Sequence, residues 1–317
     1  MKILVTGSAG HLGEALMRTL RAEGADVLGI DRLHSPFTDR TGDIADPGFV
    51  RDAMRGITHV LHAATLHKPH VETHPRQAFV DTNVSGTLQL LEAAAAEGVA
   101  AFVFTSTTSA FGAALRPPPG SPAVWVDETL APVVRNIYGA TKTAAEDLCE
   151  LMHRLTKMPV IVLRTSRFFP EDDDDPAALA QRSQDNIQAN EFLYRRVDIE
   201  DVVGAHRVAL AEAARIGFGR FIVSATTPFT RDDVAELGRD AAAVLRRRVP
   251  GWEALYARHG WTPPDVLDRV YDNRAAREVL GWRPATDFAA ALARLEATGD
   301  LRSALAKAIG KKGYHRV

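Results

Sequence analysis

Residues Gly7-Ser8-Ala9-Gly10-His11-Leu12-Gly13 constrain the fold of this chain more than any other stretch. They follow a short apolar run, Lys2 to Thr6, and lead into a segment with Leu12, Leu16 and Leu20 at helical spacing. A strand, a glycine-rich turn and a helix in that order let backbone N–H groups approach a pyrophosphate at the helix N-terminus. Glycine is common in turns, so the spacing alone says little. Its place behind a strand, at the head of an alternating chain, gives it weight.

The alternation runs on through the first half. Periodicity predicts helices over 11–23, 47–54, 79–97 and 138–155, with strands over 25–30, 59–63, 101–105 and 159–164 between them. Hairpin signals are missing, so the sheet is expected to be parallel with helices on both faces. The fold class is therefore α/β, a Rossmann-type doubly wound parallel sheet with a smaller, mostly helical C-terminal substrate region. After Arg164 the pattern changes: 168–175 is irregular and acidic, 193–197 reads as a strand, 201–214 as a helix and 220–224 as a further strand. From Thr227 on the chain is helical, Arg-rich and interrupted by proline. Residues 1–167 with 191–225 are expected to form the dinucleotide-binding part, and 168–190 with 226–317 the substrate region. Pro117-Pro118-Pro119-Gly120 reads as a stiff surface loop.

Composition narrows the partners. The 317 residues are 46% hydrophobic and 25% charged, an ordinary globular balance. Lys and Arg total 38 against 40 Asp and Glu, for a net charge of −2, so no basic excess points to nucleic acid. No apolar run approaches a membrane span, and Ile3 to Val5 is too short for a signal peptide. The one cysteine, Cys149, leaves no internal disulfide and suits a reducing compartment, so a cytoplasmic location is expected.

Asp31 ends the second strand, 18 residues after Gly13. A carboxylate there can accept both ribose hydroxyls of an adenosine and would repel a 2′-phosphate, which favours NAD over NADP. Arg32, next in line, could instead contact a 2′-phosphate. A plain turn residue is the simpler role for Asp31.

With these residues in place, the chain resembles an extended short-chain dehydrogenase/reductase of the NAD-dependent epimerase/dehydratase family. Gly42-Asp43-Ile44 resembles the segment whose aspartate contacts adenine, and His62-Ala63-Ala64 the third-strand end that lines the cofactor. Asn83-Val84-Ser85-Gly86-Thr87 is similar to the family's Asn-containing helix start, and Tyr138-Gly-Ala-Thr-Lys142 to its Tyr-x-x-x-Lys. The match runs in order over roughly residues 1–225; beyond it only Leu280-Gly281-Trp282-Arg283-Pro284 looks alike. UDP-glucose 4-epimerase-like members are the nearer likeness, uronate dehydrogenase-like members a looser one. The resemblance implies NAD, with Gly7, Ala9, Gly10, His11, Leu12, Gly13, Asp31, Arg32, Asp43, Ile44, His62, Ala63, Ala64, Asn83, Thr105, Tyr138 and Lys142 around it. It also implies a homodimer that pairs the helices at 79–97 and 138–155 with their copies. The Ala93–Ala96 run would allow close approach there, or pack on the sheet instead.

Tyr138 and Lys142, four apart on a helix, share a face. A phenol with a pKa of about 10 is a poor base at neutral pH, and an adjacent ammonium favours the phenolate. Tyr138 is thus a candidate general acid or base, and the resemblance gives Lys142 the nicotinamide ribose as well. The family's catalytic Ser or Thr falls at Thr107, with Thr108 and Ser109 as close alternatives, since hydroxyls at strand ends also cap turns. Where the family often has Tyr before Gly112, this chain has Phe111.

Two departures bear on the substrate. Nucleotide-sugar members carry two arginines that clamp a diphosphate; the matching positions here are Glu191, ahead of Asp198, and Thr262 in Thr262-Pro263-Pro264-Asp265. Arg167 stands where a small polar residue is usual and suits a carboxylate or phosphate, although a salt bridge to the Asp172–Asp175 run would also occupy it. Arg195 and Arg196 could reach a substrate anion or be solvated. His67, Lys68, Thr108, Arg167 and Arg196 are the candidate substrate contacts. Five histidines lie between His59 and His74, but without a His-Glu-x-x-His pattern or a cysteine cluster no metal site is expected. Cys149 reads as a packed thiol.

Three functions follow. The first is an epimerase or dehydratase that oxidises a sugar-like hydroxyl and returns the hydride. The second is a dehydrogenase of a small, anionic sugar that releases NADH. The third is an NAD-binding redox sensor without turnover.

Overall fold

In the computed structural model, which describes residues 1–171 and 176–313, β1 (Lys2–Thr6) is buried on both faces from Ile3 onward. That is why it reads as an unbroken apolar run rather than an alternating one. It pairs in parallel with β2 (Asp26–Asp31) on one side and β4 (His59–His62) on the other, while β3 (Arg40–Thr41) extends the sheet beyond β2. Beyond β4 follow β5 (Ala101–Thr107), β7 (Val160–Thr165) and β8 (Phe218–Val223), all parallel, in the order β3-β2-β1-β4-β5-β7-β8. The chain winds outward from β1 to β3, then returns to build the other half. Between β1 and β4 this reversal leaves a crevice at the C-terminal strand ends, where open α/β sheets bind ligands.

Successive strand residues face opposite layers. Ile3 and Val5, Val103, and Ile161 with Leu163 pack on the side of α1 (His11–Ala22) and α8 (Ile199–Ile216). Leu4, Phe102, Phe104, Val160 and Val162 pack on the side of α2 (Pro47–Met54), α4 (Gly86–Ala96) and α5 (Ile137–Thr156). Each fully buried aliphatic or aromatic side chain contributes roughly 1.5–3 kcal/mol. Within α4, Ala93 and Ala94 belong to this core, whereas Ala96 is exposed.

Four features differ from the sequence expectation. The helix expected from residue 79 begins earlier, with α3 (Arg76–Phe79), and passes through a π-helical segment, Val80–Ser85, before α4. β5 runs two residues further than expected, to Thr107. The strand expected over 193–197 does not form: α6 (Pro176–Gln181) and α7 (Gln184–Glu191) precede it, and the chain keeps coiling. The amides of Tyr194, Arg195 and Arg196 all donate to the Glu191 carbonyl, and only Arg196 bridges to a strand-like partner, Arg167. Finally, β6 (Val124–Val126) leaves the first half and pairs in parallel with β9 (Arg269–Tyr271) from the last third.

The C-terminal helices α9 (Val234–Leu237), α10 (Ala241–Arg248), α11 (Glu253–His259), α12 (Phe288–Thr298) and α13 (Ala304–Ile309) complete the chain. Most of them enclose a separate core around Trp252, Tyr256 and Phe288. Among the described residues no helix is long and apolar enough to cross a membrane.

Candidate functional site

A cavity of about 880 Å³ opens over the crevice and runs from Asp31 to Arg269. Its floor is the glycine-rich turn. Gly7 has φ +74°, and a Cβ there would lie 2.7 Å from the Ala64 amide nitrogen; one on Gly13 would lie 1.9 Å from the Gly7 carbonyl oxygen. Only glycine lets β1, α1 and the end of β4 come this close. Gly10 begins α1 without any side-chain cap, so the amides of the first turn are left for an anion. The Asp31 carboxylate accepts from the Ala9 amide at 3.0 Å and the Leu33 amide at 2.8 Å, and it still faces the cavity. This uncapped, glycine-shaped cradle with a carboxylate 18 residues on fits a dinucleotide.

Of the candidate cofactor contacts, Gly7, Ala9, Gly10, His11, Leu12, Gly13, Asp31, Arg32, Ile44, Ala63, Ala64, Thr105 and Tyr138 line the cavity. Four do not. His62 lies in the core, its ring hydrogen-bonded to the Thr6 and Thr87 hydroxyls at 2.7 and 2.9 Å. Burial drives its pKa well down, so it is a neutral packing residue rather than a wall. Asp43 turns to Arg32, 3.4 Å away, leaving its neighbours Gly42 and Ile44 at the cavity. Asn83 and Lys142 are buried behind the wall.

Asn83 acts from behind. Its Oδ1 accepts from the Leu66 amide and the Thr65 hydroxyl, both at 2.9 Å. Its Nδ2 donates to the Leu66 carbonyl at 2.9 Å and the Thr141 hydroxyl at 3.0 Å. All four capacities of the amide are used, and they join the loop after β4 to α5.

α5 begins at Ile137, where the Asn136 side chain caps the helix by accepting from the Gly139 amide at 2.9 Å. This places Tyr138 in the first turn, facing the end of β5. Burial pushes its pKa up to about 12, and the Thr107 side chain beside it pulls the other way. Lys142 donates from Nζ to the Thr105 carbonyl at 2.7 Å, with the Phe104 ring 4.0 Å beneath the ammonium. Burial lowers its pKa to about 7, against the pull of Glu146. The expected lowering of the Tyr138 pKa by its neighbour is thus not seen, because burial outweighs an ammonium turned toward Thr105. Of the three candidate hydroxyls, Thr107 is the one that acts on the Tyr138 phenol, and all three line the cavity. Phe111 is fully buried beside Leu115 and Val126, and the Arg164 guanidinium sits 4.8 Å from its ring.

At the far end, His67 and Lys68 line the cavity, and His67 stacks on Phe169 with centroids 5.7 Å apart. Arg167 also lines it and donates to Glu191 at 3.1 Å; the Asp172–Asp175 run proposed as its partner lies outside the described residues. Arg196 does not reach the cavity. It is buried, donates to the Phe169 carbonyl at 2.9 Å, and lies 3.5 Å from Glu191. The turn that replaces the expected strand sends Arg195 to the cavity instead, 2.8 Å from Glu191. Burial pushes the Glu191 carboxyl up, but Arg195, Arg196 and Arg167 outweigh it and hold the group below the usual carboxylate range.

Sequence reasoning missed Arg269 and Tyr271, which β9 brings to the same wall, and Arg116 and Arg135. Thr262 is turned elsewhere, its backbone held by Asn186 and Asn190. Glu171 closes the other side: it lies 2.8 Å from His11 Nε2 and accepts from the Lys312 amide at 2.8 Å, while Lys312 Nζ meets Glu14. Among the described residues no group of three or more His, Cys, Asp or Glu is placed to hold a metal ion.

Comparisons with known proteins bear on the family and the fold. The sequence model of the NAD dependent epimerase/dehydratase family matches residues 3–223. A UDP-glucose 4-epimerase of Streptomyces lividans is 31% identical over 319 residues, covering 90% of this chain and 92% of that protein. A 3-beta-hydroxysteroid dehydrogenase of Mycolicibacterium neoaurum is 26% identical over 329 residues, covering 89% and 87%. Among solved structures, a short-chain dehydrogenase/reductase superfamily protein from Agrobacterium tumefaciens with bound NAD superimposes with a TM-score of 0.66 at 25% identity, over 94% of this chain and 96% of that one.

Proposed function

Since this chain belongs to the NAD dependent epimerase/dehydratase family, we propose that it binds NAD and oxidises a sugar-like hydroxyl with Thr107, Tyr138 and Lys142. The observation that carries the reading is that Thr107 and Tyr138 lie together at the cavity wall, close enough for Thr107 to draw the phenol's pKa down, with Lys142 one turn behind. NAD, when bound, supplies the hydride acceptor. Thr107 would hydrogen-bond the substrate oxygen, and Tyr138 would take its proton. Lys142 would turn from the Thr105 carbonyl to hold the phenolate's charge and a ribose hydroxyl. Asp31 would accept from the adenosine ribose, and the first turn of α1 would face the pyrophosphate.

A second reading, a dehydrogenase acting on a small free sugar acid, is favoured by the substrate end of the cavity. Arg116, Arg135, Arg167, Arg195 and Arg269 all line it. Guanidinium groups pair with a carboxylate bidentately, so the wall suits an anionic substrate. A homodimer through α4 and α5 accompanies either reading, with Leu151 and Leu155 exposed on α5.

The test is a panel of UDP-sugars, free sugars and sugar acids incubated with NAD, following both NADH absorbance and product configuration. Turnover of a UDP-sugar without NADH release supports the first reading and sinks the second. NADH formed from a free uronate does the reverse. Loss of turnover in Tyr138→Phe separates an enzyme from a redox sensor, whose output would persist.

A further inference from the structure

Tyr138 and Lys142 occupy one face of α5, and the next turn of that face carries a third ionisable group with no part in the scheme above. Glu146 follows Lys142 by four residues, so the three side chains succeed one another along the helix. Glu146 is 1% exposed and packs against the sheet. A carboxylate this deep is costly unless it is both paired and hydrogen-bonded. Arg164 of β7 donates from Nε to both its oxygens at 3.1 Å and from Nη2 to Oε2 at 2.7 Å. Arg220 of β8 brings Nε within 3.4 Å of Oε2. The remaining partner is Ser106, whose hydroxyl donates to Oε1 at 2.5 Å.

Ser106 is the middle of three residues that end β5, and its neighbours make the two contacts on which the chemistry depends. The Thr105 carbonyl takes the Lys142 ammonium, and Thr107 lies beside Tyr138 at the cavity wall. The strand end is held from the other layer as well, by His206 of α8, 2.8 Å from the Thr105 hydroxyl. The Thr165 hydroxyl donates to the Ser106 carbonyl at 2.9 Å. Building on the Thr107, Tyr138 and Lys142 scheme, we infer that Glu146 is its positioning residue: through Ser106 it seats the end of β5 against α5, and through its charge it balances the Lys142 ammonium.

The surroundings of Lys142 leave this task to Glu146. From α5, Tyr138 and Cys149 also face it, but burial pushes both up and keeps them neutral. From β4, His62 is buried and neutral. Arg164 and Arg220, behind Glu146, are cations, and Arg220 also pairs with Asp147 at 3.2 Å and Glu150 at 2.8 Å toward the surface. Glu146 is therefore the fully buried anion at this place among the described residues, since Asp147 and Glu150 lie nearer the surface. Without it, the Lys142 ammonium and the Arg164 guanidinium would both lack a buried counter-charge.

The experiment follows the Lys142 side chain itself. Full-length protein carrying 13C-labelled lysine is titrated by NMR, with Lys142→Met to assign the signal and thermal melting to confirm that each variant is folded. Glu146→Gln keeps an acceptor for Ser106 and removes the charge, so the Lys142 midpoint is expected to fall by roughly one pH unit or more. Ser106→Ala keeps the charge and is expected to leave the midpoint in place. An unchanged midpoint in folded Glu146→Gln overturns the inference. An equal shift in Ser106→Ala also overturns it, because loosened packing would then suffice. Should Glu146→Gln fail to fold, Arg220→Gln tests the same link from the partly exposed side: the midpoint should rise, and no change counts against the inference. The titration needs no substrate. If Tyr138→Phe retains turnover while the midpoint moves as described, it is the catalytic reading that fails.

Discussion

Burial works against the chemistry proposed for Tyr138, raising its pKa to about 12, so the phenol stays protonated. It becomes a base only when charge is placed beside it, which makes its contribution sensitive to truncation. Tyr138→Phe is expected to lower turnover by roughly 10²–10⁴-fold, the usual worth of a positioned acid or base. NAD affinity, read by calorimetry, should change little, since the first turn of α1 and Asp31 remain. Loss of NAD binding in that variant would show that Tyr138 serves the cradle instead. The residues that announce themselves here share a local code. Gly7, Gly10, Gly13, Tyr138 and Lys142 are recognisable because their spacing lies within one turn or one helix. Arg195 and Arg196 show where that code ends. As neighbours on a strand they would point to opposite faces, but they lie in a coil around the Glu191 carbonyl. The coil decides which one meets the cavity, and no period in the sequence announces it.

Two elements carry predictions of their own. The π-helical segment Val80–Ser85 interrupts the helix at the place where Asn83 must reach both Leu66 and Thr141. Such segments often mark functional sites. Asn83→Ala leaves buried donors and acceptors unpaired, and a loss of about 2–4 kcal/mol is expected from denaturant melts. The KM for NAD should rise with it, because the loop after β4 forms a cavity wall. On the opposite layer, α8 presents His206 to β5. Its Nδ1–H donates to the Val202 carbonyl at 2.8 Å, so Nε2 accepts from the Thr105 hydroxyl. Burial lowers its pKa from 6.5 to about 4. Between these values the unfolded chain binds a proton that the fold refuses, so stability falls as pH drops through this window, by up to ~3 kcal/mol from this group. Asp201, raised to about 6 by burial, takes up its proton first in the fold and opposes part of that loss. The melting temperature of His206→Asn should therefore vary less between pH 6.5 and 4 than that of the parent chain; equal slopes would refute the assignment. Periodicity reveals the helix and strand that meet here, because each buries one face. It does not reveal the π-helical segment, which depends on one amide's four partners.

At the scale of the molecule, the parallel sheet was legible from alternation alone, and the arginine-lined wall of the cavity was not. That wall depends on β9 crossing to β6, a pairing between residues far apart in the chain and too short to leave a periodic signature. Arg269 and Tyr271 reach the cavity only through it. The same pairing bears on attempts to shorten the protein. A chain ending at residue 225 would keep the whole seven-stranded sheet but leave β6 with an open edge and Trp125 stripped of its cover. Open edges recruit other chains. Residues 1–225 are expected to scatter light as aggregates where the full chain runs as one species; a monodisperse fragment would contradict this. The ribosome faces the same problem on every round of synthesis. β6 emerges early and its partner late, so the nascent chain carries an unmatched strand until Tyr271 has cleared the exit tunnel, and whatever shields it in that interval is part of how this protein is made.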